Sequence, residues 1–117
     1  MTSPLAVVEG HIAAFNARDT ETLLAGFAHD AVFITGEQTV VGTAGLRVLF
    51  GDAFAAPLRA TMELRERVVQ GDVVAAELME RLEFEGTVAE IALAAFYTVR
   101  GGLLTRVKVY RDTPADI

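Results

Sequence analysis

The 117-residue sequence contains no cysteine and few basic residues. The lack of cysteine excludes disulfides and thiolate metal sites, and it fits a reducing, cytoplasmic location. Ten Lys and Arg against 16 Asp and Glu give a net charge of −6. That balance disfavours nucleic-acid binding, because contacts to phosphates dominate such affinity. We therefore expect a small molecule or another protein as the partner, and no nucleic acid.

Long apolar segments are also missing. No run reaches the about 18 apolar residues that indicate a membrane-spanning helix, and the first residues lack the pattern of a signal peptide. We therefore expect no membrane contact. Hydrophobic residues make up 52% of the chain and charged residues 22%, which is typical of a globular protein. At this length we expect one domain over residues 1–117.

Three amphipathic helices are predicted in the first half of the chain. Ser3 and Pro4 suit the cap and first position of a helix, whose apolar stripe is Leu5, Val8, Ile12 and Phe15. A second helix is capped by Asp19 or Thr20, with Leu23, Leu24 and Phe27 on its buried face. After a short hairpin of residues 31–35 and 39–41, a third helix begins at Gly42-Thr43 and ends before Pro57.

The second half changes to a two-residue alternation of apolar and polar side chains. Residues 58–69, 73–84, 88–99 and 103–111 form four such runs, separated by short turns with glycine. Short turns between alternating runs predict a four-stranded antiparallel meander. One face of this sheet is apolar and must be covered by the helices. In the first run Ala60, Met62, Leu64 and Val68 form one face, and Thr61, Glu63, Arg65 and Arg67 form the other. Residues 112–117 are predicted to form a loose tail.

Several segments together resemble the nuclear-transport-factor-2-like superfamily, in particular its bacterial SnoaL-like, ketosteroid isomerase-like and limonene epoxide hydrolase-like branch. The resemblance lies in Asn16-Ala17-Arg18-Asp19 and in residues 27–33, 42–46, 97–104 and 109–112. It implies an α+β fold in which N-terminal helices pack on a strongly curved, mainly antiparallel sheet. That sheet would form a cone-shaped half-barrel around an internal apolar pocket. Homodimers, which are common among such relatives, are also implied.

The catalytic residues of the known branch members do not carry over to this sequence. The positions that hold a Tyr and two Asp in ketosteroid isomerase correspond to His11, Thr35 and Ala95. Arg81-Leu82-Glu83 resembles the Arg-x-Asp of limonene epoxide hydrolase, but the last-strand Asp of that enzyme corresponds to Val109. The resemblance therefore implies the fold and leaves the reaction open.

Four polar side chains are predicted on the apolar face, where burial is costly unless they are paired. His11 is either a general acid or base, or a partly buried histidine with one hydrogen bond. Glu80 is either a base or acid with a raised pKa, or a carboxylate neutralised by a cation. Two short hairpin loops would place Arg111 beside Leu93 and Glu80 beside Ile91, so that the two charged side chains meet diagonally. Such an Arg111 either forms a salt bridge or holds an anionic ligand.

Tyr97 is either a hydrogen-bond donor to a ligand or a core aromatic residue. We predict His11, Glu80 and Tyr97 as the catalytic residues, with no metal and no cofactor, because the two histidines have no convincing carboxylate partner. The reaction would be isomerisation, cyclisation, dehydration or epoxide opening on a small apolar or amphipathic molecule. The alternative is a non-catalytic binding or dimerisation module. The predicted ligand-binding residues are Arg111, Thr35, Phe15, Phe50, Phe54, Leu78, Leu82, Leu93, Ala95 and Val107.

Overall fold

The computed structural model describes residues 2–111, which form three helices and one six-stranded sheet. The order along the chain is α1 (Pro4–Ala17), α2 (Thr20–Ala25), β1 (Phe27–Thr35), β2 (Gln38–Val41), α3 (Gly42–Ala55), β3 (Arg59–Gln70), β4 (Val73–Phe84), β5 (Thr87–Arg100) and β6 (Leu103–Arg111). The predicted α+β fold, with helices on one face of a curved, open sheet, is confirmed. The predicted tail of residues 112–117 lies outside the described part of the chain.

The sheet has the strand order β2-β1-β6-β5-β4-β3. Strands β3 to β6 form the predicted antiparallel meander, and β1 and β2 form an antiparallel hairpin. The two parts join where β1 runs parallel to β6, with Phe27 beside Leu104 and Thr35 beside Val109. The sheet therefore brings the first and last strands of the chain together in its middle.

Capping side chains fix the first two helices. The Ser3 hydroxyl accepts a hydrogen bond from the Ala6 amide, with Pro4 at the first helical turn as predicted. The Asp19 carboxylate caps α2 by accepting from the Thr22 amide and hydroxyl, which lowers the pKa of Asp19. Between the helices, Arg18 adopts the left-handed conformation with φ 56° and closes α1 by donating to Ala14 and Phe15 carbonyls.

Two side chains at the end of α1 connect this helix to the rest of the fold. The Asn16 amide donates from Nδ2 to the Met62 carbonyl at 2.9 Å, and its Oδ1 accepts from the Met62 amide at 2.8 Å. The Arg18 guanidinium donates to the Phe54 carbonyl at 3.1 Å and lies over the Phe54 ring. The Asn16-to-Asp19 segment therefore joins α1 to β3 and to the end of α3.

The core lies between the helices and the concave face of the sheet. It includes Val8 and Ile12 of α1, Leu46 and Phe50 of α3, and the inward-facing positions of β4, β5 and β6. Leu23, Leu46, Leu78 and Leu104 are among its completely buried side chains. Burying an apolar side chain of this size contributes roughly 1.5–3 kcal/mol to stability. The helices therefore cover the apolar face that the alternation predicted.

Two local predictions are wrong. Phe27 does not belong to α2 but begins β1, so that strand is longer than predicted and includes the exposed residues His29 and Asp30. In β3 the register shifts between Leu64 and Glu66, because a bulge inserts one extra residue. Beyond the bulge the faces exchange, so Val68 lies opposite Ala75 on the convex side and is 68% exposed. Arg67 instead pairs with Glu9 of α1.

Candidate functional site

A cavity of about 180 Å³ opens between α1, α3 and the concave face of the sheet. Its wall is mostly apolar and is contributed by both helices and by five of the six strands. The lining residues are His11, Ile12, Phe15, Phe33, Thr35, Leu49, Phe50, Ala53, Ala60, Met62, Glu80, Leu93, Tyr97, Val107, Val109 and Arg111. An enclosed apolar volume of about 150 Å³ is enough to hold benzene. The cavity therefore has room for one ring of a ligand.

Aromatic rings form one side of the cavity and pack against each other through their edges. The His11 ring meets Phe27 at a centroid distance of 5.3 Å, Tyr97 at 5.8 Å and Phe50 at 6.4 Å. Phe33 packs on Phe50 at 5.5 Å in the same manner. Edge-to-face packing of this kind holds the rings in defined orientations. His11 is therefore held in place by aromatic neighbours.

The Nδ1 atom of His11 is buried and has no hydrogen-bond partner among the described residues. Burial also lowers the pKa of His11 from 6.5 to about 4, because the charged imidazolium is poorly solvated there. The imidazole is consequently neutral at pH 7, with one nitrogen that donates and one that accepts. A buried polar atom without a partner is costly in a folded protein. Nδ1 has less than 1 Å² of accessible surface, so it faces packed side chains, and other atoms of the His11 ring line the cavity.

Tyr97 lines the cavity beside His11. The side chain is 4% exposed, and desolvation raises the pKa of Tyr97 above its usual value. The phenol therefore keeps its proton throughout the neutral range and acts as a donor to an oxygen or nitrogen acceptor.

Glu80 and Arg111 form a partly buried ion pair at the cavity wall. Glu80 lies on β4 opposite Ile91, and Arg111 ends β6 opposite Leu93, so both registers predicted from the short hairpin loops are confirmed. Arg111 Nη1 donates to Glu80 Oε1 at 2.5 Å, with 7% of the Glu80 side chain exposed and 35% of the Arg111 side chain. Of the alternatives for Glu80, the structure therefore has the carboxylate paired with a cation.

Nine of the 13 predicted site residues meet at this cavity: His11, Glu80, Tyr97, Arg111, Thr35, Phe15, Phe50, Leu93 and Val107. The other four do not line it. Leu78 and Ala95 are buried in the core where α1 packs on β4 and β5. The Phe54 ring packs on Phe15 and beneath Arg18, and Leu82 lies beyond Glu80 towards the tip of the β4–β5 hairpin.

Seven lining residues were not predicted: Ile12, Phe33, Leu49, Ala53, Ala60, Met62 and Val109. Phe33 is two positions from Thr35 on the same strand, so the alternation that placed Thr35 inward also carried the signal for Phe33. Ala60 and Met62 are inward positions of β3 by the same rule. Leu49 and Ala53 lie one helical turn apart on α3, on the side that faces the sheet.

Neither a metal centre nor a membrane segment is found in the described part of the chain. No three His, Asp or Glu side chains in residues 2–111 converge in a way that would hold a metal ion. None of the helices there combines the length and the apolar character needed to cross a bilayer.

Comparison with known proteins gives one family and several similar structures. The family model described as a SnoaL-like domain matches residues 8–107. The structure of TerC co-crystallised with polyporic acid is similar with 27% identity and a TM-score of 0.85, over 97% of this chain and 95% of TerC. A search of the curated proteins gives no significant match.

Two mycobacterial structures share the fold. Rv0760c from Mycobacterium tuberculosis is 26% identical with a TM-score of 0.83, over 96% of this chain and 93% of that protein. An epoxide hydrolase of the LEH-like type from M. tuberculosis is 18% identical with a TM-score of 0.83, over 93% of this chain and 82% of the enzyme. At that identity the epoxide hydrolase indicates the fold alone.

Proposed function

Because this chain belongs to the SnoaL-like domain family, with the nuclear-transport-factor-2-like fold, we propose that it binds a small, mainly apolar molecule in the cavity and transforms it without a cofactor. The observation that carries the proposal is a mostly apolar cavity whose wall brings His11, Tyr97 and Arg111 together. These polar side chains can hydrogen-bond to an oxygen or nitrogen of a ligand. Apolar surroundings would make the resulting polar contacts stronger than in water.

The proposed chemistry is proton transfer or polarisation of a ligand oxygen, as in isomerisation, cyclisation, dehydration or epoxide opening. Neutral His11 can donate or accept one proton, and the Tyr97 phenol can donate a hydrogen bond to an oxygen that gains negative charge. Glu80 is held by Arg111, so its part is to orient that guanidinium and to balance its charge. The same guanidinium can hold an oxygen of the ligand.

A binding test with a defined probe distinguishes a functional cavity from a filled one. TerC was crystallised with polyporic acid, so this compound is the first probe, followed by single-ring terpenes and aromatic compounds. We expect a saturable rise in melting temperature and a binding isotherm with wild-type protein. The variant Ala53→Phe, which fills the cavity from α3, should abolish both while the protein stays folded. If no probe binds wild-type protein, or if Ala53→Phe binds as well, the proposal fails.

The second candidate is a binding module without catalysis. It is favoured by two observations: the lowered pKa of His11 makes it a weak base, and Glu80 is already engaged by Arg111. Recovery of every bound probe unchanged after long incubation, as analysed by mass spectrometry, supports this candidate. Conversion of a bound probe that is lost in His11→Leu supports the enzyme.

A homodimer is part of the proposal, through the convex face of the sheet. Phe96 and Tyr110 lie there edge to face at 6.0 Å, and they are 44% and 48% exposed. Aromatic side chains exposed together are typical of interfaces. Sedimentation of wild-type protein should give a dimer. We expect Phe96→Lys to be a monomer, because the new lysine lies beside Lys108 and the two positive charges repel a partner. A wild-type monomer at all concentrations would exclude it. The cytoplasmic location expected from the sequence stays a prediction.

A further inference from the structure

We infer that the ligand is a hydroxylated single-ring organic acid, whose acid group lies against Arg111 and whose hydroxyl lies against His11. This inference rests on the proposed binding function and names the chemical class for the same cavity. It follows from the size of the cavity, from the chemistry of its two polar positions and from the aromatic wall between them.

The size of the cavity limits the ligand to a single ring. A volume of about 180 Å³ is close to that of an engineered cavity that takes up benzene. His11, Phe50 and Tyr97 present ring edges and faces to this space. An aromatic or otherwise unsaturated six-membered ring fills such a space and packs on the surrounding rings.

The arginine in the cavity wall indicates that the ligand carries an acid group. Five times more of the Arg111 side chain than of the Glu80 side chain is exposed, at 35% against 7%. Both residues line the cavity, and the guanidinium is the more accessible of the two to a ligand. Glu80 holds one edge of the guanidinium through Nη1, and this fixes the direction in which the other N–H groups point. A planar fork of N–H donors held in this way suits a carboxylate better than a neutral acceptor.

His11, the second polar position in the cavity wall, indicates that the ligand carries a hydroxyl group. A neutral imidazole has either a proton or a lone pair at each ring nitrogen, depending on the tautomer. A hydroxyl both donates and accepts, so it suits the His11 ring in the cavity wall in either tautomer. A carbonyl or an ether only accepts, so each would suit only one tautomer. The Tyr97 ring lies beside His11 in the same wall, so its phenol is a further donor for a ligand oxygen.

The first test separates the acid group from the ring. Benzoate and benzamide have the same shape, so their dissociation constants, measured by NMR titration at pH 7, isolate the charge. We expect benzoate to bind about tenfold or more tightly than benzamide to wild-type protein, since charge-assisted hydrogen bonds are the stronger ones. The double variant Glu80→Gln/Arg111→Gln keeps a hydrogen-bonding pair without charge and should lose this preference. Arg106→Gln, on the convex side of the same strand, should keep it.

The second test separates the hydroxyl from the acid. Each of the three hydroxybenzoate isomers is compared with benzoate, because the distance from Arg111 to His11 selects the ring position. We expect one isomer to bind about tenfold more tightly than benzoate to wild-type protein, and we expect the ratio of the two dissociation constants to fall to about one in His11→Leu.

The outcomes distinguish this inference from the function on which it rests. Equal binding of benzamide and benzoate would overturn the acid at Arg111, as would a preference that survives in the double variant. An advantage of the best isomer that survives in His11→Leu would overturn the hydroxyl at His11. If toluene, benzamide, benzoate and the hydroxybenzoates all fail to bind while polyporic acid or a terpene binds, this inference fails and the binding function stands. If none of these probes binds, both fail.

Discussion

Arg111 Nη1 on β6 donates to Glu80 Oε1 on β4 across the whole width of β5, at 2.5 Å. Leu93 and Ile91 of β5 lie between the two strands and fix their registers. The two partners are not equivalent, because the carboxylate is almost completely buried while a third of the arginine side chain is accessible. Because of this difference in burial, we expect removal of Arg111 and removal of Glu80 to change the stability of the protein by different amounts.

Loss of the arginine should destabilise the protein more than loss of the glutamate. Arg111→Gln leaves a buried carboxylate without its cation, which costs about 3 kcal/mol or more. Glu80→Gln leaves an arginine that can turn towards water, which costs roughly 1 kcal/mol. Free energies of unfolding from urea titration measure both, and the double variant should recover part of the loss of Arg111→Gln. Equal losses for the two single variants would contradict this asymmetry.

Replacement of His11 should stabilise the folded protein while it weakens ligand recognition. The variant His11→Leu removes the buried Nδ1 that has no partner, so we expect a gain of about 1 kcal/mol in the free energy of unfolding. The control is Ile12→Ala, the neighbouring core position, which should lose about 3 kcal/mol. A clear loss of stability in His11→Leu would mean that the imidazole is satisfied in the folded protein.

Acid should destabilise the wild-type protein through the same histidine. The pKa of His11 is about 4 in the folded state and 6.5 in the unfolded chain, so only the unfolded chain takes up the proton between these values. Stability is therefore full above pH 6.5 and falls as the pH drops to about 4, by up to about 3 kcal/mol. Urea titrations at pH 7, 6, 5 and 4 should give a shallower fall for His11→Leu. Gln38→Ala, at an exposed position without a titratable group, serves as a control and should follow the wild-type curve.

The side-chain amide of Asn16 should contribute more to the free energy of unfolding than is usual for a residue near a helix end. It makes two hydrogen bonds to the Met62 backbone in a partly buried place, so Asn16→Ala leaves both Met62 groups unpaired. We expect a loss of about 2–3 kcal/mol in the free energy of unfolding. Asn16→Asp removes only the donor and should also be destabilising. Gln38→Ala, which removes an exposed amide at the start of β2, should change stability by less than about 0.5 kcal/mol.

Two glycines of α3 should respond to alanine in opposite directions. A Cβ at Gly51 meets nothing within 4 Å, so Gly51→Ala should stabilise the helix by about 0.5–1 kcal/mol. A Cβ at Gly45 would lie 2.8 Å from Cγ1 of Val40, a stiff side chain on β2. Gly45→Ala should therefore be destabilising in spite of its better helix propensity. Melting temperatures of the two variants compare the effects directly. A rise in both would contradict this prediction, because it would show that Val40 on β2 moves away from the new Cβ at little cost.

Local patterns predicted most of this fold, and nonlocal pairing accounts for most of what they missed. Alternation and short loops gave β3 to β6 and the registers of β4 with β5 and of β5 with β6, which is why the meeting of Glu80 with Arg111 was predictable. The parallel pairing of β1 with β6 has no turn between the strands and thus no local signal. The predicted first strand began only at residue 31 for the same reason, since the start of β1 is set by pairing with distant neighbours.

The composition of the cavity wall was predictable only in part. The alternation of side chains along each strand identified Tyr97, Leu93 and Val107 as facing the helices. Alternation alone does not tell which of these inward side chains line the cavity and which are covered by other core residues. Leu78 and Ala95 have the correct parity and are covered by core neighbours instead. The bulge after Leu64 likewise has no recognisable sequence pattern, so the faces of the last third of β3 were assigned inversely.

The parallel contact of β1 with β6 also has a consequence for how the chain acquires its cavity during synthesis. Phe33 and Thr35 come from the first strand, whereas Val107, Val109 and Arg111 come from the last. Contacts between such distant positions form slowly, since a long loop must close before they are gained. A nascent chain on the ribosome can fold its hairpins but has no complete cavity until β6 emerges. On the proposed function, ligand binding thus requires that β6 has paired with β1, and a bound ligand would stabilise that late pairing.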